Sequence, residues 1–142
     1  MTGNPYSGHL AERVLGADPV ELVVLLYEEL ARSIGDARRA LAAGSPLERA
    51  RSISRAMEII GELAQAVKPD PDPQLAGRLA QLYAFLLDRL QMAHVHQLEQ
   101  PLAEAERVAR TLLEAWQGIR AAQIHASAPI EPMEAPAVFL AG

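Results

Sequence analysis

The chain contains no cysteine among its 142 residues. This absence excludes disulfides, thiolate-ligated metal sites and a cysteine nucleophile. Aromatic residues are also scarce, at 4 % of the chain, whereas Ala and Leu are abundant, and such a composition favours helices over strands. The longest nearly uninterrupted apolar run covers 22–27. It is far shorter than the roughly 20 residues that a membrane span needs, so we expect no stable membrane insertion.

Positive charge is limited as well. The thirteen basic residues include a single lysine, Lys68, and the net charge is −5. Because no basic block stands out, we expect no nucleic-acid partner. The first residues show no basic start followed by an apolar run, which is the pattern of a secretory signal. We therefore expect a cytoplasmic location and, from the length, one domain.

Proline and glycine mark the helix boundaries. The same pattern occurs at 18–21 and again at 45–48: a capping residue is followed by a proline, and a glutamate stands three residues after the cap. Gly44 is placed to end the first helix, because glycine tolerates the left-handed conformation found there. The segment 68–73 alternates prolines and cannot continue a helix. Asp72 then caps a third helix, and a fourth begins near 98–101.

Apolar residues recur at gaps of three and four in all four segments, which places them on one face of each helix. These inner positions are Val23, Leu26, Leu30, Ile34, Ala37 and Leu41; Ile53, Met57, Ile60, Leu63 or Ala64, and Val67; Leu75, Leu79, Leu82, Leu86, Leu90 and Ala93; and Leu102, Ala105, Ala109, Leu112, Trp116 and Ile119. Short connections predict an all-α, antiparallel four-helix bundle with up-down-up-down topology. We assign 1–17 to an N-terminal arm, 18–120 to the bundle and 121–142 to a disordered Ala/Pro-rich tail.

The first and third helices carry more apolar residues than one inner face needs. The additional positions are Leu22, Val24, Leu25 and Tyr27 in the first helix, and Tyr83, Phe85, Leu87 and Met92 in the third. An apolar groove on a bundle commonly binds amphipathic helices. The arm, the tail, a second copy in a homodimer or a partner protein would cover this surface. A wide but ordinary core is the alternative, and both interpretations stay open.

Reactive chemistry has little support in the sequence. His94 and His96 are two residues apart and do not share a helix face, so a helical metal site is not favoured. His96 and the two residues after it resemble the active stretch of histidine phosphotransfer domains. However, Glu99 and Gln100 stand where that pattern has a lysine and a small residue. The carboxylates and serines form no catalytic motif, so we expect neither an enzyme nor a cofactor.

Three stretches in a consistent order resemble the FliS family of flagellar export chaperones. They read ADPVELVVLLYE at 17–28, LYAFLLDRL at 82–90 and LLEAW at 112–116, and an early NPY at 4–6 is similar to the start of many members. The resemblance implies a bundle that binds the disordered C-terminal segment of flagellin. Such a chaperone prevents premature polymerisation and aids delivery to the flagellar type III secretion apparatus.

We expect the client-binding surface to involve the arm and the outward apolar residues of the first and third helices. The candidate residues are Tyr6, Leu10, Tyr27, Tyr83 and Leu87. The alternative is a helical adaptor or regulator that sequesters another amphipathic partner. A histidine phosphotransfer domain is the third hypothesis.

Overall fold

The computed structural model describes residues 18–67 and 72–127, and this part of the chain forms four α-helices. They are α1, Pro19–Ala42; α2, Pro46–Val67; α3, Pro73–His96; and α4, Glu99–Ser127. The predicted all-α bundle is confirmed. α4 continues past the expected boundary at 120, and residues 1–17 and 128–142, assigned to the arm and most of the tail, lie outside the described residues. None of the described helices is long and apolar enough to cross a membrane.

Two aspartates cap helices as the sequence predicts. The Asp18 carboxylate accepts a hydrogen bond from the Glu21 backbone N–H at 2.8 Å. The Asp72 carboxylate accepts from Gln74 and Leu75 at 3.0 and 3.4 Å. Each bond satisfies a backbone donor of the first turn that has no partner within the helix. α1 and α3 therefore begin at fixed points.

The C-terminal ends of α1 and α3 are each followed by a residue in the left-handed conformation. Gly44 has φ +68° after α1, and the Ser45 backbone N–H returns to the Ala40 carbonyl at 2.9 Å. Gln97 has φ 56° after α3. These two links, at 43–45 and 97–98, lie at the same end of the bundle, which we call the upper end. The starts of α1 and α3 and the end of α4 lie at the lower end.

The helices surround a central core. Within the described residues, α1 packs against α2 and α4, and α3 packs against the same two helices, while the diagonal pairs stay apart. Most predicted inner positions are confirmed as buried: Leu26, Leu30, Ile34, Ala37, Ile53, Ile60, Leu63, Leu79, Leu86, Leu90, Ala93, Leu102, Ala105 and Ala109. The predicted burial of Leu75 and Ile119 is wrong, since they are 41 % and 44 % exposed. Both belong to the lower half, where the core is less completely covered.

An ion-pair network fixes α1 against α4. Arg38 of α1 bonds to Glu99, and its Nη1 donates to Glu106 of α4 at 2.9 Å. Arg110 donates to the same Glu106 carboxylate. Burial, the largest single influence, would raise the pKa of Glu106, but the hydrogen bonds and positive charges of Arg38 and Arg110 together outweigh it and lower the pKa. Because Arg38 is partly exposed, the network sets the register of α1 and α4 more than it stabilises the fold.

Two glycine substitutions should change stability in opposite directions. Gly61 lies inside α2, and a Cβ there would meet no other atom within 4 Å. Gly61→Ala should therefore raise the free energy of unfolding by about 0.5–1 kcal/mol, because alanine favours the helix. Gly44→Ala should lower it by about 1–2 kcal/mol, since its φ is positive. Urea unfolding measures both, and a stabilised Gly44→Ala would contradict the left-handed end of α1.

Candidate functional site

Two residues that the sequence analysis expected on the surface lie inside the bundle. Tyr27 is 0 % exposed and Tyr83 is 4 % exposed, so the prediction that they face outward is wrong. Their hydroxyl oxygens are 2.7 Å apart and share a hydrogen bond. Each phenol supplies the partner that a buried hydroxyl needs. The pair thus joins α1 and α3 across the diagonal.

Trp116 of α4 extends this polar contact. Its side chain hydrogen-bonds to Tyr27. An indole N–H can only donate, so the Tyr27 oxygen is the acceptor, and either phenol can donate in the bond between Tyr27 and Tyr83. Burial, followed by the neighbouring Tyr83, raises the pKa of Tyr27, while the bond from Trp116 lowers it less strongly. Burial also raises the pKa of Tyr83. One hydrogen-bonded chain therefore links α4, α1 and α3.

The side of α3 that faces α4 carries an ion pair toward the upper end of the bundle and apolar residues toward the lower end. Arg89 of α3 lies 3.3 Å from Glu104 of α4, which identifies the facing sides of the two helices. Leu75 and Leu82 precede Arg89 at seven-residue steps and so share its side of α3. Leu82 is half-buried and Leu75 is more exposed. Phe85 borders the same side, is 41 % exposed, and has the Arg89 guanidinium 5.6 Å from its ring centroid.

α4 contributes the other half of this surface. Val108, Leu112 and Ile119 follow Glu104 at helical spacing and face the same way. Val108 and Leu112 are half-buried, as is Trp116 beside them. We call the combined surface the α3–α4 seam. It consists of Leu75, Leu82, Phe85, Val108, Leu112, Trp116 and Ile119.

The seam differs from the surface expected from the sequence. Leu87 is half-buried and packs against the core, on the side of α3 away from Arg89. Tyr6 and Leu10 lie outside the described residues. The five candidates are therefore not brought together by the described structure. From the sequence, Leu75 and Ile119 were assigned to the inner stripes of α3 and α4. The one sign in the sequence that they are exposed is their position near the helix ends.

The two histidines near the end of α3 are exposed. His94 and His96 occupy the last turn of that helix. Across 18–67 and 72–127, no three His, Cys, Asp or Glu side chains are grouped so that they could hold a metal ion.

The buried tyrosines predict a loss of stability in alkali. Unfolded tyrosine has a pKa of about 10. Above that pH the unfolded chain releases protons that folded Tyr27 and Tyr83 retain, because their pKa values are raised, so the free energy of unfolding falls. The Tyr27→Phe/Tyr83→Phe double variant should lose less stability between about pH 8 and 11. Urea unfolding across this range measures the difference. Tyr6 remains in both proteins, and identical declines would contradict the raised pKa values.

Comparison with known proteins agrees with this helical architecture. Residues 2–123 match the family described as flagellar protein FliS. The chain is 26 % identical over 107 residues to the flagellar secretion chaperone FliS of Salmonella typhimurium, covering 75 % of this chain and 79 % of the relative. It is 29 % identical over 107 residues to the flagellar secretion chaperone FliSB of Pseudomonas aeruginosa, covering 75 % and 85 %. The chain therefore belongs to the FliS family of flagellar secretion chaperones.

Proposed function

We propose that this protein is a cytoplasmic export chaperone that binds the C-terminal segment of flagellin along the α3–α4 seam. Covering that segment prevents premature polymerisation, and the complex then delivers flagellin to the flagellar type III secretion apparatus. The observation that carries the proposal is the row of partly exposed apolar side chains on both sides of the seam.

The seam has the chemistry that an amphipathic helix requires. Its apolar residues come from two neighbouring helices, so a client helix lying along them would bury one stripe of its own. Leu75, Phe85 and Ile119, at 41 %, 41 % and 44 % exposure, have the most surface to lose to a client. Arg89 and Glu104 supply a charged rim above them.

Three residues predicted from the sequence remain proposed contacts. Tyr6 and Leu10 would cover part of the client from the arm. Leu87 would contact a client segment that continues around α3 toward α2. A Leu87→Asp variant that stays folded and binds flagellin as tightly as the parent removes Leu87 from this set.

Titration with the flagellin C-terminal segment from the same organism tests the proposed function. We expect saturable one-to-one binding with a negative heat-capacity change, because apolar surface is buried. Ile119→Glu should weaken binding by about tenfold or more, since the carboxylate of the introduced glutamate would be desolvated in the complex. Leu75→Glu should act in the same direction. Isothermal titration calorimetry measures the dissociation constants of the parent and of the two variants.

Leu47→Glu is the matched control. Leu47 is 61 % exposed but lies at the upper end, away from the lower half of the seam. Its substitution should leave flagellin affinity unchanged. Circular dichroism establishes that each variant is folded. If the two seam variants bind like the parent, the seam assignment fails; if the parent itself does not bind, the flagellin proposal fails.

A further inference from the structure

The buried tyrosine pair and the α3–α4 seam meet at one side chain, Trp116. Its ring packs against the core but is only half-buried, so part of it stays open to a partner on the seam. Tryptophan is among the residues that contribute most to binding energy at interfaces. How firmly the ring is held before a partner arrives therefore affects affinity, because a side chain that is already ordered loses less freedom on binding.

Tyr27 holds this ring from inside the bundle. It is 0 % exposed, so a partner lying on the seam does not reach it. Its hydroxyl oxygen accepts the hydrogen bond from the Trp116 indole N–H. The same hydroxyl is fixed by its bond to Tyr83, at 2.7 Å. A rigid part of the core is thereby connected to a half-buried ring of the seam.

Tyr83 has a different place in this chain of hydrogen bonds. It is also buried, at 4 % exposure, and its hydroxyl shares the bond with Tyr27. Among the described residues, its hydroxyl forms no second side-chain hydrogen bond, so the indole N–H depends on Tyr27. The two phenols are therefore equivalent within the buried pair but not with respect to Trp116.

We propose that Tyr27 is a positioning residue for the seam, because its hydroxyl holds the Trp116 indole in the orientation that a client contacts. The inference rests on the proposed function, since the client is the C-terminal segment of flagellin. Tyr27 restricts the ring before binding, so that less side-chain entropy is lost when the complex forms. Tyr27, which the sequence analysis expected to contact the client, would thus act on binding from inside the bundle.

Two matched variants separate this role from a purely structural one. Tyr27→Phe and Tyr83→Phe each remove one hydroxyl from the buried pair and leave the other phenol without its partner. Both should therefore lower the urea midpoint to a similar extent. Only Tyr27→Phe also removes the acceptor of the indole N–H.

Flagellin affinity should distinguish the two variants. Tyr27→Phe should weaken binding of the flagellin C-terminal segment by about two- to tenfold, which corresponds to ordering one freed side chain. Tyr83→Phe should bind like the parent. Isothermal titration calorimetry measures the three dissociation constants, and circular dichroism establishes that each variant is folded.

The motion of the ring can be measured without flagellin. Since Trp116 is the single tryptophan, isotope-labelled protein gives one indole N–H resonance. The heteronuclear NOE of the indole nitrogen reports ring motion on the picosecond-to-nanosecond timescale. We expect this NOE to fall in Tyr27→Phe and to keep its parental value in Tyr83→Phe.

A third variant shows whether the effect on affinity passes through the indole. Trp116→Phe keeps an aromatic ring but has no N–H to donate. In this background, adding Tyr27→Phe should cause no further loss of flagellin affinity, because the interaction between the two side chains has already been removed.

Three results would overturn the inference while leaving the proposed function intact. They are equal flagellin affinities of Tyr27→Phe and Tyr83→Phe, an unchanged indole NOE in Tyr27→Phe, and a full additional loss of affinity from Tyr27→Phe in the Trp116→Phe background. If the parent itself does not bind the flagellin segment, the proposed function fails, and this inference fails with it.

Discussion

The hydrogen bond between Tyr27 and Tyr83 organises the centre of this bundle. α1 and α3 lie on a diagonal and do not pack directly within the described residues, so their two phenol rings fill the space between them. The hydroxyls satisfy each other, and Trp116 adds a third helix to the same contact. Trp116 also belongs to the α3–α4 seam, so the polar contact in the core lies next to the partly exposed apolar residues of that seam.

The fold thus separates two kinds of surface. The lower half presents the seam, where apolar residues from α3 and α4 suit an amphipathic client. The upper half has small residues at Ala105 and Ala109, which let α4 approach the core closely. Its distinctive feature is Arg49, an arginine that is only 7 % exposed and whose Nε has no hydrogen-bond partner among the described residues.

Local signals in the sequence predict where the helices begin and end, but they do not predict which apolar residues are exposed. Asp18 and Asp72 are recognisable caps because their spacing to proline and to the first turn is local. The burial of Tyr27 and Tyr83 was missed, because a sequence does not show that two hydroxyls 56 positions apart will meet. Leu75 and Ile119 follow the inner periodicity, yet periodicity does not reveal where a core ends. Membership of the FliS family was visible from three motifs, whereas Arg49 carries no motif and required its burial to be known.

Trp116 offers the most direct test of the seam, because it is the single tryptophan in the chain. Acrylamide quenching of its fluorescence reports how accessible the indole is. Saturating the protein with a tryptophan-free C-terminal segment of flagellin should reduce the quenching constant, because the client would cover the half-buried ring. If the segment binds fully and the quenching constant does not change, the client lies elsewhere on the bundle and the seam is not its site.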